Sequence, residues 1–169
     1  MSEKNIFIDG KLNKYQIKKL TQEKKVEKKK NSDKIDGIYY NEKEQYNILN
    51  GMYFDILSTL QKEVKKKISS YKQQDRLKNI LDNDSFISYI QVIDILKSTK
   101  CLCYYCNDQM LLFYENKNDK KQWTLDRINN DIGHNKDNVV ATCLECNIQK
   151  RRRDHDKFTF TKNLVIDKI

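Results

Sequence analysis

The sequence predicts an α+β protein in which a mainly helical N-terminal region precedes a small module of strands and one helix. Two observations lead to this prediction. Helical periodicity fills much of the first half of the chain, whereas short apolar and aromatic runs lie between two widely separated pairs of cysteines in the second half. The 169 residues allow one domain, or one small domain with an extension.

The N-terminal region divides into a basic arm at 1–40 and a helical region at 41–99. The lysine-rich arm is expected to follow a nucleic-acid backbone, with a solvated, disordered segment as the alternative. Residues 41–76 predict one long helix, because apolar residues recur at spacings of three and four. These residues are Leu49, Tyr53, Ile56, Leu57, Leu60, Val64, Ile68 and Tyr71. Such a stripe is expected to pack against the rest of the chain, and a homodimer through this helix is the alternative.

Residues 82–99 predict a second helix, with Asp84 or Ser85 as its N-cap. Its inward face would consist of Phe86, Ile90, Ile93 and Leu96 or Lys97. This helix delivers the chain into the module at 100–155. There we expect strands at 110–114 and 122–128, a loop at 129–138 and a helix at 143–153. The segment at 156–169 is expected to pack back on the core through Phe158, Phe160, Leu164, Val165 and Ile166.

The paired cysteines form two Cys-x-x-Cys knuckles, Cys103 with Cys106 and Cys143 with Cys146. A two-residue gap lets both sulfurs of a knuckle reach one ion, and Zn²⁺ prefers four tetrahedral ligands. Residues 107–142 separate the knuckles, a longer stretch than in a minimal zinc ribbon, so the ion would enclose a module. An odd total of five cysteines disfavours a disulfide framework. The fifth, Cys101, is expected to be a buried small residue, with a ligand role in place of Cys103 as the alternative.

Between the knuckles lie Asp126, Arg127, a Gly-His pair ending at His134, and Asn138, while Asn147 directly follows the last cysteine. With the four cysteines in this order, the run 103–150 resembles the HNH, or ββα-metal (His-Me finger), nucleases of the zinc-clipped subgroup. The resemblance implies a two-stranded hairpin followed by a helix, with structural zinc on the cysteines. It also implies that Asp126 and Asn147 hold a catalytic Mg²⁺ or Mn²⁺ and that Asn138 braces the loop.

One residue departs from the family pattern, because Arg127 stands where the family usually has the histidine that activates water. The nearest histidine is His134, which we expect to act as the general base from the loop. Arg127 stays charged, and we expect it to clamp the scissile phosphate beside the metal ion that Asp126 would hold. The alternatives are a surface ion pair of Asp126 with Arg127, a packing role for His134, a turn-capping role for Asn138 and a solvent-facing Asn147.

A formal net charge of +9 favours a polyanionic partner, which we expect to be DNA. Lys150, Arg151, Arg152 and Arg153 follow Asn147 directly and are expected to contact the phosphate backbone. A solvated helix end that complements the helix dipole is the alternative for this basic run.

The leading functional prediction is therefore a metal-dependent endonuclease that hydrolyses DNA. The first alternative is a catalytically inactive, zinc-containing protein that binds or packages nucleic acid, and the second is a zinc module for protein interaction. No apolar run is long enough to span a bilayer, and no secretory signal is visible, so we expect no membrane partner. Reduced cysteines in a zinc site indicate an intracellular location, in the nucleus, the cytoplasm or a viral particle assembled there.

Overall fold

The computed structural model describes residues 26–29 and 35–164, which form a mixed α+β protein with one small sheet. Two short 3₁₀ helices, Gly37–Tyr40 and Glu42–Glu44, come first. The α-helices are α1 (Gln45–Leu49), α2 (Leu57–Leu77), α3 (Tyr89–Ser98), α4 (Leu144–Lys150) and α5 (His155–Asn163). The strands are β1 (Trp123–Arg127) and β2 (Val139–Cys143). None of the helices in this part of the chain combines the length and apolar character needed to cross a membrane.

The single helix predicted for 41–76 is wrong, because the chain turns between α1 and α2. Gly51 lies in this turn with a φ of 78°, a left-handed conformation that residues with a Cβ adopt only with strain. The predicted apolar stripe nevertheless exists on α2, where Leu60, Val64 and Tyr71 are buried. The stripe therefore packs within the chain.

Helix α3 begins later than predicted. Its N-cap is Ser88, whose hydroxyl accepts the Gln91 N–H while the Gln91 side chain accepts the Ser88 N–H. This capping box satisfies two of the first backbone donors, so Asp84 and Ser85 are not the caps. Ile90, predicted to face inward, is 68% exposed, whereas Leu96 is fully buried.

The sheet confirms the strand predicted at 122–128 but gives it a different partner. β1 pairs antiparallel with β2, with Trp123 opposite Cys143 and Asp126 opposite Val140. The run 110–114 is buried but forms no strand. Its backbone is held by the buried side chain of Gln45, whose Oε1 accepts the Leu112 N–H at 2.8 Å. That partner comes from α1, so no local pattern reveals it.

The predicted packing of the C-terminal segment is only partly observed. Phe158 of α5 is buried as predicted, but Phe160 and Leu164 are 69% and 50% exposed. Val165 and Ile166 lie outside the described residues, as does most of the arm predicted at 1–40. Within 26–29, Lys29 donates its backbone N–H to Glu115 and forms an ion pair with Glu63 of α2.

Candidate metal centre and adjoining cleft

The four knuckle cysteines meet in space. The sulfur atoms of Cys103, Cys106, Cys143 and Cys146 lie within 4.8 Å of one another. Zinc with four bonds of about 2.3 Å to sulfur would set neighbouring sulfurs about 3.8 Å apart. The sulfurs of Cys106 and Cys143 are 3.9 Å apart. The cluster could therefore hold one metal ion, and its composition and spacing are consistent with zinc.

Local backbone geometry brings the two knuckles together. The Tyr104 N–H donates to Ala141 O at 2.9 Å, which attaches the first knuckle to β2. The second knuckle lies where β2 runs directly into α4, with Cys143 as the N-cap of that helix. Cys101 is outside the cluster and fully buried, and burial raises the pKa of its thiol to about 12. Its expected role as a small buried residue agrees with this environment.

Metal binding would change the protonation of the cluster. The hydrogen bond from Cys143 lowers the pKa of the Cys103 thiol to about 5, whereas burial raises that of Cys106 to about 12. Neighbouring thiolates repel one another, so a bound cation is what favours ionisation of all four. Metal binding should consequently release protons and weaken at acid pH.

A cleft of about 930 Å³ lies beside the cysteine cluster, between α2 on one side and β1 with α4 on the other. All four residues predicted as catalytic groups or as ligands of the catalytic ion line it, namely Asp126, Arg127, His134 and Asn147. The cleft thus brings together a carboxylate, a guanidinium, an imidazole and an amide from three separate parts of the module. Helix α2, from the N-terminal helical region, completes the opposite wall.

Asp126 is 5% exposed and is held by two donors on one oxygen. Its Oδ2 accepts the Tyr105 hydroxyl at 2.7 Å and lies 3.0 Å from the Lys150 ammonium. Tyr105 sits between the two cysteines of the first knuckle, so it connects the metal cluster to the cleft. Burial raises the pKa of Tyr105, which keeps its hydroxyl protonated as a donor.

Asn147 is oriented by β1. Its Nδ2 donates to Thr124 Oγ1 at 3.0 Å and to Leu125 O at 3.2 Å. Among the described residues, no hydrogen bond reaches Oδ1 of Asn147 or Oδ1 of Asp126. One carboxylate oxygen and one amide oxygen therefore remain available in the cleft, and hard cations such as Mg²⁺ and Mn²⁺ prefer oxygen ligands of this kind.

Lys150 does not have the exposed position that contact with a nucleic-acid backbone requires. It is fully buried, and its ammonium donates to Arg127 O at 2.6 Å in addition to pairing with Asp126. The reason is helical spacing, because Lys150 follows Asn147 by three residues and shares its inward face. Helix α4 then ends, and the exposed Arg151 and Arg152 line the cleft.

The loop between the strands is braced by two predicted site residues. Asn138 donates to Asn129 O and to Gly133 O, both at 2.9 Å, and accepts the Asn129 N–H at 2.8 Å. Arg127 ends β1, and its Nη1 donates to two loop carbonyls, Asn130 O at 3.0 Å and Ile132 O at 3.2 Å. These contacts fix the loop that carries His134.

His134 is 5% exposed and contacts α2. Its Nδ1 lies 2.8 Å from Asp75 Oδ1, and its ring stacks on Tyr71 with a centroid distance of 4.6 Å. Burial lowers the pKa of His134, although the Asp75 charge acts in the opposite direction. Sequence reasoning missed Asp75. The sequence feature that could have revealed Asp75 is its position: it is a carboxylate one helical turn after Tyr71, on the buried stripe of α2.

The loop approaches α2 so closely that only glycine fits at position 133. A Cβ there would lie 2.7 Å from Ile80 O and 2.9 Å from Asp75 Oδ2. We expect Gly133→Ala to displace His134 and to destabilise the protein by about 1–3 kcal/mol, because the backbone must shift to relieve the overlap. Urea unfolding measures this effect. The control is Gly37→Ala, which has no atom within 4 Å of the added carbon, and an equal loss of stability in both variants would contradict the expectation.

In comparisons with known proteins, no family model, curated protein or solved structure gives a significant match to this chain.

Proposed function

We propose that this chain is a metal-dependent, HNH-like endonuclease that hydrolyses phosphodiester bonds in DNA. The observation that carries the proposal is the shared cleft, in which Asp126, Asn147, His134 and Arg127 present the groups that phosphodiester hydrolysis needs. The antiparallel β1–β2 pair, followed directly by α4, also supports assignment to the ββα-metal fold. Zinc on the four cysteines would be structural.

Asp126 and Asn147 would hold the catalytic ion through their free oxygens. A divalent ion bound there would neutralise charge on the phosphate and on the leaving oxygen. Lys150 and Tyr105 fix the Asp126 carboxylate through Oδ2, which leaves Oδ1 for this role. The fully buried ammonium also offsets part of the negative charge of the carboxylate.

His134 would act as the general base. Its Nε2 would accept a proton from a water molecule while the water oxygen bonds to phosphorus and the bond from phosphorus to the leaving sugar oxygen breaks. Solvent would supply the proton that the leaving oxygen takes up. Arg127 would balance charge on the phosphate with the part of its guanidinium that the loop carbonyls leave free.

One contact favours a second candidate function, a nucleic-acid-binding protein that does not cleave. The Lys150 ammonium already neutralises Asp126 at a distance of 3.0 Å. If that pairing suppresses binding of a divalent ion, the cleft would still bind phosphate through its arginines but would lack the catalytic ion. The two candidates predict opposite results in the same assay.

The test is nicking of a supercoiled plasmid by the zinc-loaded full-length chain, in EDTA, Mg²⁺ or Mn²⁺, beside His134→Ala. If the chain is the proposed nuclease, nicking should require the divalent ion. It should fall on the order of 10²–10⁴-fold in His134→Ala, since that is the usual contribution of general base catalysis. Tight, salt-sensitive DNA binding without nicking under any of these conditions would show instead that the chain binds nucleic acid and does not cleave it.

The arginines that line the cleft provide a separate prediction for DNA binding. Arg151→Ala combined with Arg152→Ala is expected to weaken binding to all sequences and to reduce the slope of log K against log salt by about 2, close to 0.9 for each lost phosphate contact. Fluorescence anisotropy across a salt series measures the slope. Lys97→Ala is the matched control, because this exposed lysine lines a different groove. An unchanged slope in the double variant would show that Arg151 and Arg152 do not contact the DNA backbone.

A further inference from the structure

Helix α2 and the loop before β2 meet at one pair of side chains, Asp75 and His134. Asp75 has no exposed surface. Its Oδ1 lies 2.8 Å from His134 Nδ1, and its Oδ2 accepts the backbone N–H of the same histidine at 2.6 Å. Both oxygens of a fully buried carboxylate are therefore used on one residue, which is more than loop anchoring alone requires.

We infer that Asp75 is a positioning residue for the reaction: it holds His134 in the Nδ1–H tautomer and turns the Nε2 lone pair toward the cleft. This inference rests on the proposed function of His134. An ionised carboxylate only accepts hydrogen bonds, so the shared proton lies on Nδ1. No side chain within 26–29 and 35–164 hydrogen-bonds to Nε2, and His134 lines the cleft.

Tyr71 fixes the remaining freedom of the imidazole from the preceding turn of α2. The two rings stack with an interplanar angle of 24°. The Tyr71 hydroxyl also accepts the Leu125 N–H at 3.0 Å, next to Asp126 in β1. Two successive turns of α2 thus hold both the proposed base and the strand that carries the proposed metal ligand. The helical region at 41–99 is in this account part of the reaction centre.

Four charged or titratable groups face the imidazole. Asp75 and Tyr71 belong to α2, Lys78 is the C-cap that follows it, and Arg127 belongs to β1. Burial, Arg127 and Lys78 lower the pKa of His134, whereas Asp75 raises it, and the net direction is downward. The ring is therefore mainly neutral at neutral pH, as a general base must be, and cleavage should fall only when the pH drops through this lowered pKa.

Asp75→Asn tests the inference on the full-length, zinc-loaded protein. An amide has one acceptor, which the His134 backbone N–H would take, leaving the amide N–H group facing Nδ1. That arrangement forces the proton onto Nε2 and removes the base, the same logic by which an amide disrupts a catalytic triad. We expect cleavage to fall on the order of 10²–10⁴-fold and the rise in rate with pH to disappear.

The tautomer itself is measured by two-bond ¹H–¹⁵N NMR, and this readout does not depend on catalysis. The chain has only two histidines, so His155 serves as an internal reference. We expect Nδ1–H at His134 in the wild type and Nε2–H in Asp75→Asn. Tyr71→Phe is the control, because it keeps the stacked ring and the Asp75 contacts while losing the bond to Leu125. Its His134 should stay in the Nδ1–H form.

Two results would overturn the inference: an Nε2–H tautomer in the wild type, or an Asp75→Asn variant with an unchanged tautomer and unchanged pH dependence. The second result would leave Asp75 a purely structural residue. A tautomer switch in a protein that cleaves no DNA would support the positioning pair and would overturn the nuclease, so the two failures are distinguishable.

Discussion

Replacing Cys146 with serine is expected to prevent metal binding at the cysteine cluster and to unfold the module between the knuckles. Structural zinc contributes about 10–16 kcal/mol of apparent binding free energy in small zinc proteins, which is as much as the whole stability of many domains. Cys146 is buried in a cluster whose sulfurs lie within 4.8 Å, so a serine hydroxyl would replace one of four ligands inside the protein.

The measurement combines zinc content by mass spectrometry with urea unfolding followed by circular dichroism. We expect one zinc per chain in the wild type, with metal and cooperative unfolding both lost in Cys146→Ser and after chelation. Cys101→Ala is the matched control, because Cys101 is equally buried but lies outside the cluster. A Cys146→Ser protein that keeps one zinc and its unfolding midpoint would show that the cluster is not a metal site.

Asp126→Asn is expected to have the second large effect, because it would remove a proposed metal ligand and would also break a buried ion pair. Loss of a metal ligand removes several kcal/mol of charge stabilisation in the transition state, which corresponds to at least a roughly hundredfold loss of cleavage. The same change leaves the fully buried Lys150 ammonium without its ion-pair partner. Breaking a buried pair in this way typically costs about 3–5 kcal/mol.

A double variant separates these two effects. Asp126→Asn with Lys150→Met removes both charges, so neither partner is left as an unpaired buried charge, and replacing a buried ion pair with uncharged residues is often close to neutral for stability. We expect the double variant to recover most of the unfolding free energy while cleavage remains lost. Cleavage at the wild-type rate in the double variant would exclude Asp126 as a metal ligand. An Asp126→Asn protein as stable as the wild type would instead contradict the buried ion pair.

Local sequence signals predicted the features that local physics controls. The spacing of the four cysteines predicted their meeting point, since each two-residue gap aligns two sulfurs on one ion. The run 122–128 predicted β1, whose five residues Trp123–Arg127 are all buried. The apolar stripe of α2 was likewise predicted from its helical spacing, although Gly51 ends the helix before it and divides the predicted element in two.

Features that the sequence patterns did not predict depend on contacts between residues distant in sequence. No strand forms at 110–114, and the Leu112 N–H donates to the side chain of Gln45, 67 positions away, instead of to a neighbouring strand. Asp75 reaches His134 across 59 positions of sequence. Lys150 looked like the first member of an exposed basic run, but the inward face of α4 buries it against Asp126. In each case a buried polar group satisfies another, and hydrophobic periodicity carries no information about such pairs.

Electron paramagnetic resonance of Mn²⁺ added to the zinc-loaded protein would show whether the cleft binds a divalent ion. In the proposed nuclease, Asp126 and Asn147 hold this ion. We predict one Mn²⁺ per chain in the wild type and loss of that binding in both Asp126→Asn and Asn147→Ala, with the zinc content unchanged. Wild-type affinity for Mn²⁺ in both variants, or no Mn²⁺ bound by the wild type, would contradict a divalent-ion site at Asp126 and Asn147.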